Sequence, residues 1–199
     1  MQHLLPLQRA VLIMSDVFGF KPGEVAEALD ATPASVYSAL QRARKAADER
    51  LPERSQQETL RSLGDDSIKE TVGRFVDAWE SADIEAMRSL LSEEAVLAMP
   101  PWAEWFRGAD AVAEFLRLNP LRPEKRWKLV PTQAGGQPAL GGYWADSADA
   151  AGPLQAEGII VLCLRDDGRI AEITSFRDPK IFSSFGLPTA MDSEGSPDL

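Results

Sequence analysis

Apolar residues recur at helical spacing through the first fifty positions and then, much later, at strand-like intervals. Leu7, Ala10, Val11 and Met14 predict a helix over residues 6–16, opened by Pro6 and stopped by Gly19. Val25, Ala26 and Leu29 mark a short second helix from Pro22, and Asp30-Ala31 turns the chain. Thr32 before Pro33 pairs an N-cap residue with a proline at the first helical position, which predicts a third helix reaching about Arg50. On that helix Val36, Leu40, Ala43 and Ala47 form one apolar stripe. The opposite arc collects Ala34, Ser35, Ser38, Gln41, Arg42 and Lys45, with Tyr37 and Arg44 on its flanks.

Residues 51–66 are polar, with Pro52, Gln56, Gln57, Gly64 and paired Asp residues, and read as a helix end followed by a linker. Ser67 and Glu70 form a capping-box pattern that opens a new helix with Ile68, Val72, Phe75, Val76 and Trp79 on one face. Asp83 caps a short helix through Leu91, Val96–Met99 is a strand, 100–108 an aromatic loop, and 110–118 a further helix. The rest reads as β: 125–133, 139–145, 154–165 and 169–177, divided by turn-rich pieces, with Asp167-Gly168 as a hairpin signal. The tail from Thr189 is expected to be disordered. The expected organisation is therefore 1–50 helix-turn-helix, 51–66 linker, 67–188 an α+β domain, and 189–199 tail.

Charge reinforces that division. The 199 residues carry a net charge of −10, but residues 1–54 hold seven Lys/Arg against seven Asp/Glu, so all the excess acid lies in the second part. No run of about eighteen apolar residues is present to span a membrane, and Gln8, Arg9 and Asp16 interrupt the N-terminal apolar stretch that a signal peptide would need. The expectation is a cytoplasmic protein. The single cysteine, Cys163, sits in the apolar run 158–164 and reads as a core residue. The only histidine is His3. No spacing suggests a metal site, a phosphate loop or a cofactor motif.

The outer arc of the third helix is small and polar at its start and basic further on, the composition a recognition helix needs to approach a major groove. The segments Leu5-Pro6-Leu7-Gln8-Arg9-Ala10-Val11-Leu12-Ile13, Phe18-Gly19-Phe20, Glu24-Val25-Ala26-Glu27-Ala28-Leu29 and 35–44 (SVYSALQRAR) resemble region four of bacterial sigma factors, most closely the extracytoplasmic-function group. The resemblance implies recognition of the −35 promoter element and docking on the flap of the core RNA polymerase β subunit. That docking would supply the tether a module of zero net charge requires. By position it assigns Ser35, Ser38, Gln41 and Arg42 to DNA and Lys45 to phosphate. Such factors also carry an upstream region two, which this chain lacks, so it is expected to be a fragment or a natural truncation.

Residues 67–188 resemble the SnoaL-like cone, an α+β fold with a curved mixed β-sheet. The resemblance rests on Phe75-Val76-Asp77-Ala78-Trp79, Leu90-Leu91, Ala95-Val96-Leu97-Ala98-Met99-Pro100, Gly108 before a helix, and late strands ending in Phe176. A subset of extracytoplasmic-function sigma factors carries this domain after region four, and 176–182 (FRDPKIF) is similar to the motif found there. Candidate pocket residues are Trp79, Met99, Trp102, Trp105, Phe106, Trp127, Tyr143 and Phe176. Asp77, Glu80 and Asp178 are the acids at hand, and Arg107 beside Gly108 is placed to meet a carboxylate ligand. No acid/base constellation accompanies them, so an enzyme is not expected. The reading is a sigma factor regulated by its acidic C-terminal domain, through contacts with the sigma regions. The alternatives are a ligand-responsive regulator that binds DNA alone, and a SnoaL-like cyclase or hydrolase.

Overall fold

Proline sets the start of each helix in the N-terminal unit. The computed structural model describes residues 4–48, 54–102, 105–148 and 152–192, in two compact units that divide between Ser55 and Gln56. Helix α1 (Pro6–Leu12) runs into a π-helical turn (Ile13–Val17), followed by α2 (Pro22–Ala28) and α3 (Pro33–Asp48). Thr32 caps α3, its hydroxyl accepting the Ser35 N–H at 3.2 Å. Val11, Val25, Ala26, Val36, Ala39 and Leu40 form the core. The three valines are essentially fully buried, each contributing about 1.5–3 kcal/mol of transfer free energy. Ala39 joins the expected stripe on the inner face of α3.

The second unit begins where a linker was expected. Gln56–Leu63 is helix α4, and α5 (Asp65–Glu80) follows after a single residue, Gly64. Gly64 takes φ +77°, a left-handed conformation open to glycine that breaks the two helices apart. The expected start at Ser67 is thereby corrected: α5 opens at Asp65, and Asp65 and Asp66 place negative charge in its first turn. Leu60 and Leu63 of α4 pack on the main core, which is what holds the segment helical.

Asp83 caps α6 (Ile84–Leu90), accepting the Ala86 N–H at 2.9 Å. The sheet then builds from β1 (Leu91–Ala98), β2 (Trp105–Arg107), β3 (Lys125–Ala134), β4 (Gln137–Asp146), β5 (Leu154–Leu164) and β6 (Ile170–Phe176), with α7 (Ala109–Leu118) between β2 and β3. Strand order is β2-β1-β6-β5-β4-β3. The β1–β6 pair is parallel and the other neighbours are antiparallel, so the sheet is mixed. Register shifts at Leu91/Val96, Gly142/Tyr143 and Cys163/Leu164 bend it.

Both faces are covered. Phe75, Trp79, Met87, Leu97, Leu116 and Ile173 belong to the core on the helical side. Tyr143, Ile159, Phe182 and Met191 form a second core on the other face, under a 3-10 helix (Pro179–Phe185) and a short strand β7 (Ala190–Met191) paired with β5. Two expectations change accordingly. The aromatic loop contains strand β2, and the tail starts with a paired strand rather than disorder; residues 193–199 lie outside the described residues.

Candidate functional site: a recognition helix and a basic cavity

On α3 the inner positions Val36, Ala39, Leu40 and Ala43 are buried, while Ala34, Ser38, Gln41, Arg42 and Lys45 are exposed and Ser35 is half-buried. The helix turns its polar and basic arc outward as a continuous strip. Ser35 is partly committed to its own helix start, its hydroxyl donating to the Thr32 carbonyl at 2.7 Å. Arg44 is committed more firmly: Nε and Nη2 donate to the two Asp16 carboxylate oxygens at 3.0 and 2.6 Å. This pair clasps α3 to the π-helical turn, and the Arg44 guanidinium holds the Asp16 carboxyl below its ordinary range. The Arg44–Asp16 pair offsets both charges, and Arg42 and Lys45 are the exposed cations of the strip.

In the second unit a cavity of about 280 Å³ opens on the helical face of the sheet. Its apolar wall comes from Trp79 on α5, Met99 beyond β1, Phe115 and Leu116 on α7, Trp127 on β3 and Ile160 on β5. Trp79 meets Trp127 edge-on, ring centres 5.6 Å apart, and both indoles are more than nine-tenths buried. The Trp127 N–H donates to the Pro120 carbonyl at 2.6 Å. The Trp79 N–H, also buried, has no acceptor among the described residues.

Half of the polar lining is basic, Arg122, Lys125 and Arg177, beside Asn119, Ser175 and the carboxylate of Glu157. Glu157 Oε1 accepts from Arg177 Nε at 2.9 Å and also from Nη2, and Oε2 accepts the Trp144 N–H at 3.0 Å. The Lys125 ammonium stands 4.3 Å from the Trp144 ring centre and 5.6 Å from that of Trp127. Burial pushes its pKa down against the opposing pull of Glu157.

Of the residues expected to make a pocket, Trp79, Met99 and Trp127 line the cavity and the others do not. Tyr143 is buried on the opposite face of the sheet, against Phe182, with its hydroxyl donating to the Pro188 carbonyl at 2.9 Å. Adjacent strand residues face opposite ways, and it is Trp144 that turns toward the cavity side. Trp102 and Trp105 are about half exposed, and Phe176 also reaches solvent. Trp102 lies beneath the Arg177 guanidinium, and Phe106 stacks on Phe115 at 4.2 Å. The acids singled out from sequence lie elsewhere. Asp77 is exposed, Glu80 accepts the Leu129 N–H and the Lys128 ammonium at 2.9 and 3.3 Å, and Asp178 caps the 3-10 helix through the Lys180 N–H. Arg107 is exposed on β2. Among the described residues no group of three or more His, Cys, Asp or Glu is placed to hold a metal ion, and no helix is long and apolar enough to cross a membrane.

The chain thus combines a helix-turn-helix unit whose third helix turns a polar and basic strip outward with an α+β unit that holds a lined cavity. Residues 1–46 match the family model for sigma-70 region 4, and residues 72–173 match that for the SnoaL-like domain. The chain belongs to the SnoaL-like family, and ahead of that domain it carries a segment that matches sigma-70 region 4. It is 33% identical over 192 residues to the ECF RNA polymerase sigma factor SigG of Mycobacterium tuberculosis, covering 96% of this chain and 50% of SigG. It is 26% identical over 203 residues to SigJ of the same species, covering 94% of this chain and 60% of SigJ. The crystal structure of SigJ superposes with a TM-score of 0.51 at 25% identity, covering 94% of this chain and 64% of that one. The chain thus spans about half to three-fifths of the length of the curated relatives it matches.

Proposed function

We propose that this chain provides the −35 promoter-reading and polymerase-docking part of a sigma factor, acting in the cytoplasm, and that its SnoaL-like domain adjusts transcription initiation rather than catalysing a reaction. The observation that carries the reading is the outward strip on α3, where Ser38, Gln41, Arg42 and Lys45 are exposed along one side. Arg42 offers the paired donors and Gln41 the donor and acceptor that base edges need, and Lys45 suits phosphate. Ser35 is the least available of the assigned set because its hydroxyl already bonds within the helix start. The N-terminal unit has no net charge excess, so core polymerase, through the β flap, is the partner that makes its modest DNA affinity useful.

The test is selection from a random duplex pool by the chain with core polymerase, by polymerase alone and by the chain alone. The expected result is one enriched element that needs both components and is lost with Gln41→Ala/Arg42→Ala. Equal enrichment with polymerase alone, or with the double variant, would refute the reading. Enrichment by the chain alone would favour a ligand-responsive regulator that works without polymerase.

A further inference from the structure

The second unit is strongly acidic, yet its cavity is basic. Residues 56–199 hold fourteen Lys/Arg against twenty-four Asp/Glu, while the lining holds three cations and one carboxylate. That carboxylate, Glu157, is already engaged by Arg177 and the Trp144 N–H, which leaves Arg122 and Lys125 as an excess of positive charge at the cavity. Lys125 is half-buried against two indoles, where its charge is poorly solvated, and an anion would restore what burial removes. The walls are flat and aromatic. The buried Trp79 N–H in the same lining lacks an acceptor among the described residues, an arrangement that a ligand oxygen satisfies.

We propose that this cavity binds a small aromatic carboxylate. Its carboxylate is met by Lys125 and Arg122, its ring lies against Trp79 and Trp127, and a ring hydroxyl or carbonyl oxygen takes the Trp79 N–H. A volume of about 280 Å³ lies just below the usual range of ligand pockets, about 300–1,000 Å³, which suits one ring or two fused rings. The inference is independent of the transcription reading, because binding is measured on the chain itself without polymerase or DNA.

Isothermal titration of the full chain with benzoate and 4-hydroxybenzoate tests it, with benzamide, benzylamine and acetate as ligands lacking either the charge or the ring. Both carboxylates are expected to bind saturably, 4-hydroxybenzoate more tightly, with the three controls at least about tenfold weaker. Lys125→Met should weaken benzoate about tenfold or more while Lys125→Arg retains it, and Trp79→Phe should remove the advantage of 4-hydroxybenzoate. Arg122→Gln, a change at an exposed side chain, supplies the charge test should Lys125→Met fail to fold. Benzamide binding as tightly as benzoate, charge-removing variants that titrate like the parent, or no saturable heat with either carboxylate would overturn the proposal.

Discussion

Gly158 lies at the cavity, where β5 passes beside the end of β6, and its missing side chain is what permits that approach. A Cβ built there runs into the Phe176 carbonyl oxygen and stands 2.9 Å from Arg177 Cα and 3.0 Å from the Phe176 carbonyl carbon. All three obstacles are backbone, so no rotamer change relieves them. At Gly141 on β4 a Cβ meets the Leu187 Cδ1 at 2.5 Å and the Phe182 ring at 3.3 Å, and the nearer of these is the far end of a flexible side chain. Overpacking costs about 1–3 kcal/mol, and the rigid surroundings put Gly158→Ala at the upper end. Alanine also narrows the unfolded ensemble, offsetting about 0.4–1 kcal/mol. The net expectation is a loss of about 2 kcal/mol or more for Gly158→Ala and between about 0 and 1 kcal/mol for Gly141→Ala. At about 2–4 °C per kcal/mol the first lowers Tm by roughly 4–8 °C. All five tryptophans lie in the second unit, so urea and thermal unfolding followed by indole fluorescence report that unit alone. A Gly158→Ala protein within about 0.5 kcal/mol of the parent, or one more stable than Gly141→Ala, would refute the reasoning.

Three further outcomes are expected. Asp83→Ala removes the cap of α6 and should cost about 1 kcal/mol in the same fluorescence assay. In polymerase-assisted promoter binding, Arg42→Ala should relax base preference and cost about 1–3 kcal/mol, whereas Lys45→Ala should weaken all sequences alike and reduce the salt slope by about one. Cys163 donates its S–H to the Gln56 side-chain carbonyl at 2.6 Å, and burial pushes its thiol up to about 11. It should therefore resist iodoacetamide near neutral pH until urea exposes it. Because the folded pKa is raised, its contribution to stability is whole below the ordinary value of 9.0 and declines as pH climbs toward about 11.

Long periodic elements were legible in the sequence, and short or context-held ones were not. The three N-terminal helices follow directly from Pro6, Thr32-Pro33 and the buried valines. The π-helical turn at Ile13–Val17 adds one residue per turn without any compositional mark. Helix α4 has few apolar positions, and it is held by Leu60 and Leu63 against a core formed largely by later residues. Strands β2 and β7 are three and two residues long, too short for alternation to register. At the cavity, aromatic content led to Trp79 and Trp127 but also to Tyr143, which the twofold alternation of a strand places on the opposite face from Trp144. The charged lining was missed because Lys125, Glu157 and Arg177 stand far apart in sequence and meet only through the successive pairings of β3 with β4, β4 with β5 and β5 with β6. The available local signal was Glu157, between Ala156 and Gly158, the one charged residue of β5.

The placement of β6 between β1 and β5 has a consequence for biosynthesis. Within the N-terminal unit α3 packs on α1 and α2 at short sequence separation, so local contacts favour its early folding. The sheet cannot close until 170–176 has been synthesised and inserted beside 91–98, a pairing that spans some seventy-five residues. During synthesis the helical unit can therefore form while the hydrophobic edge of β1 still awaits its neighbour, and ribosome pausing or chaperone capture would act on that interval.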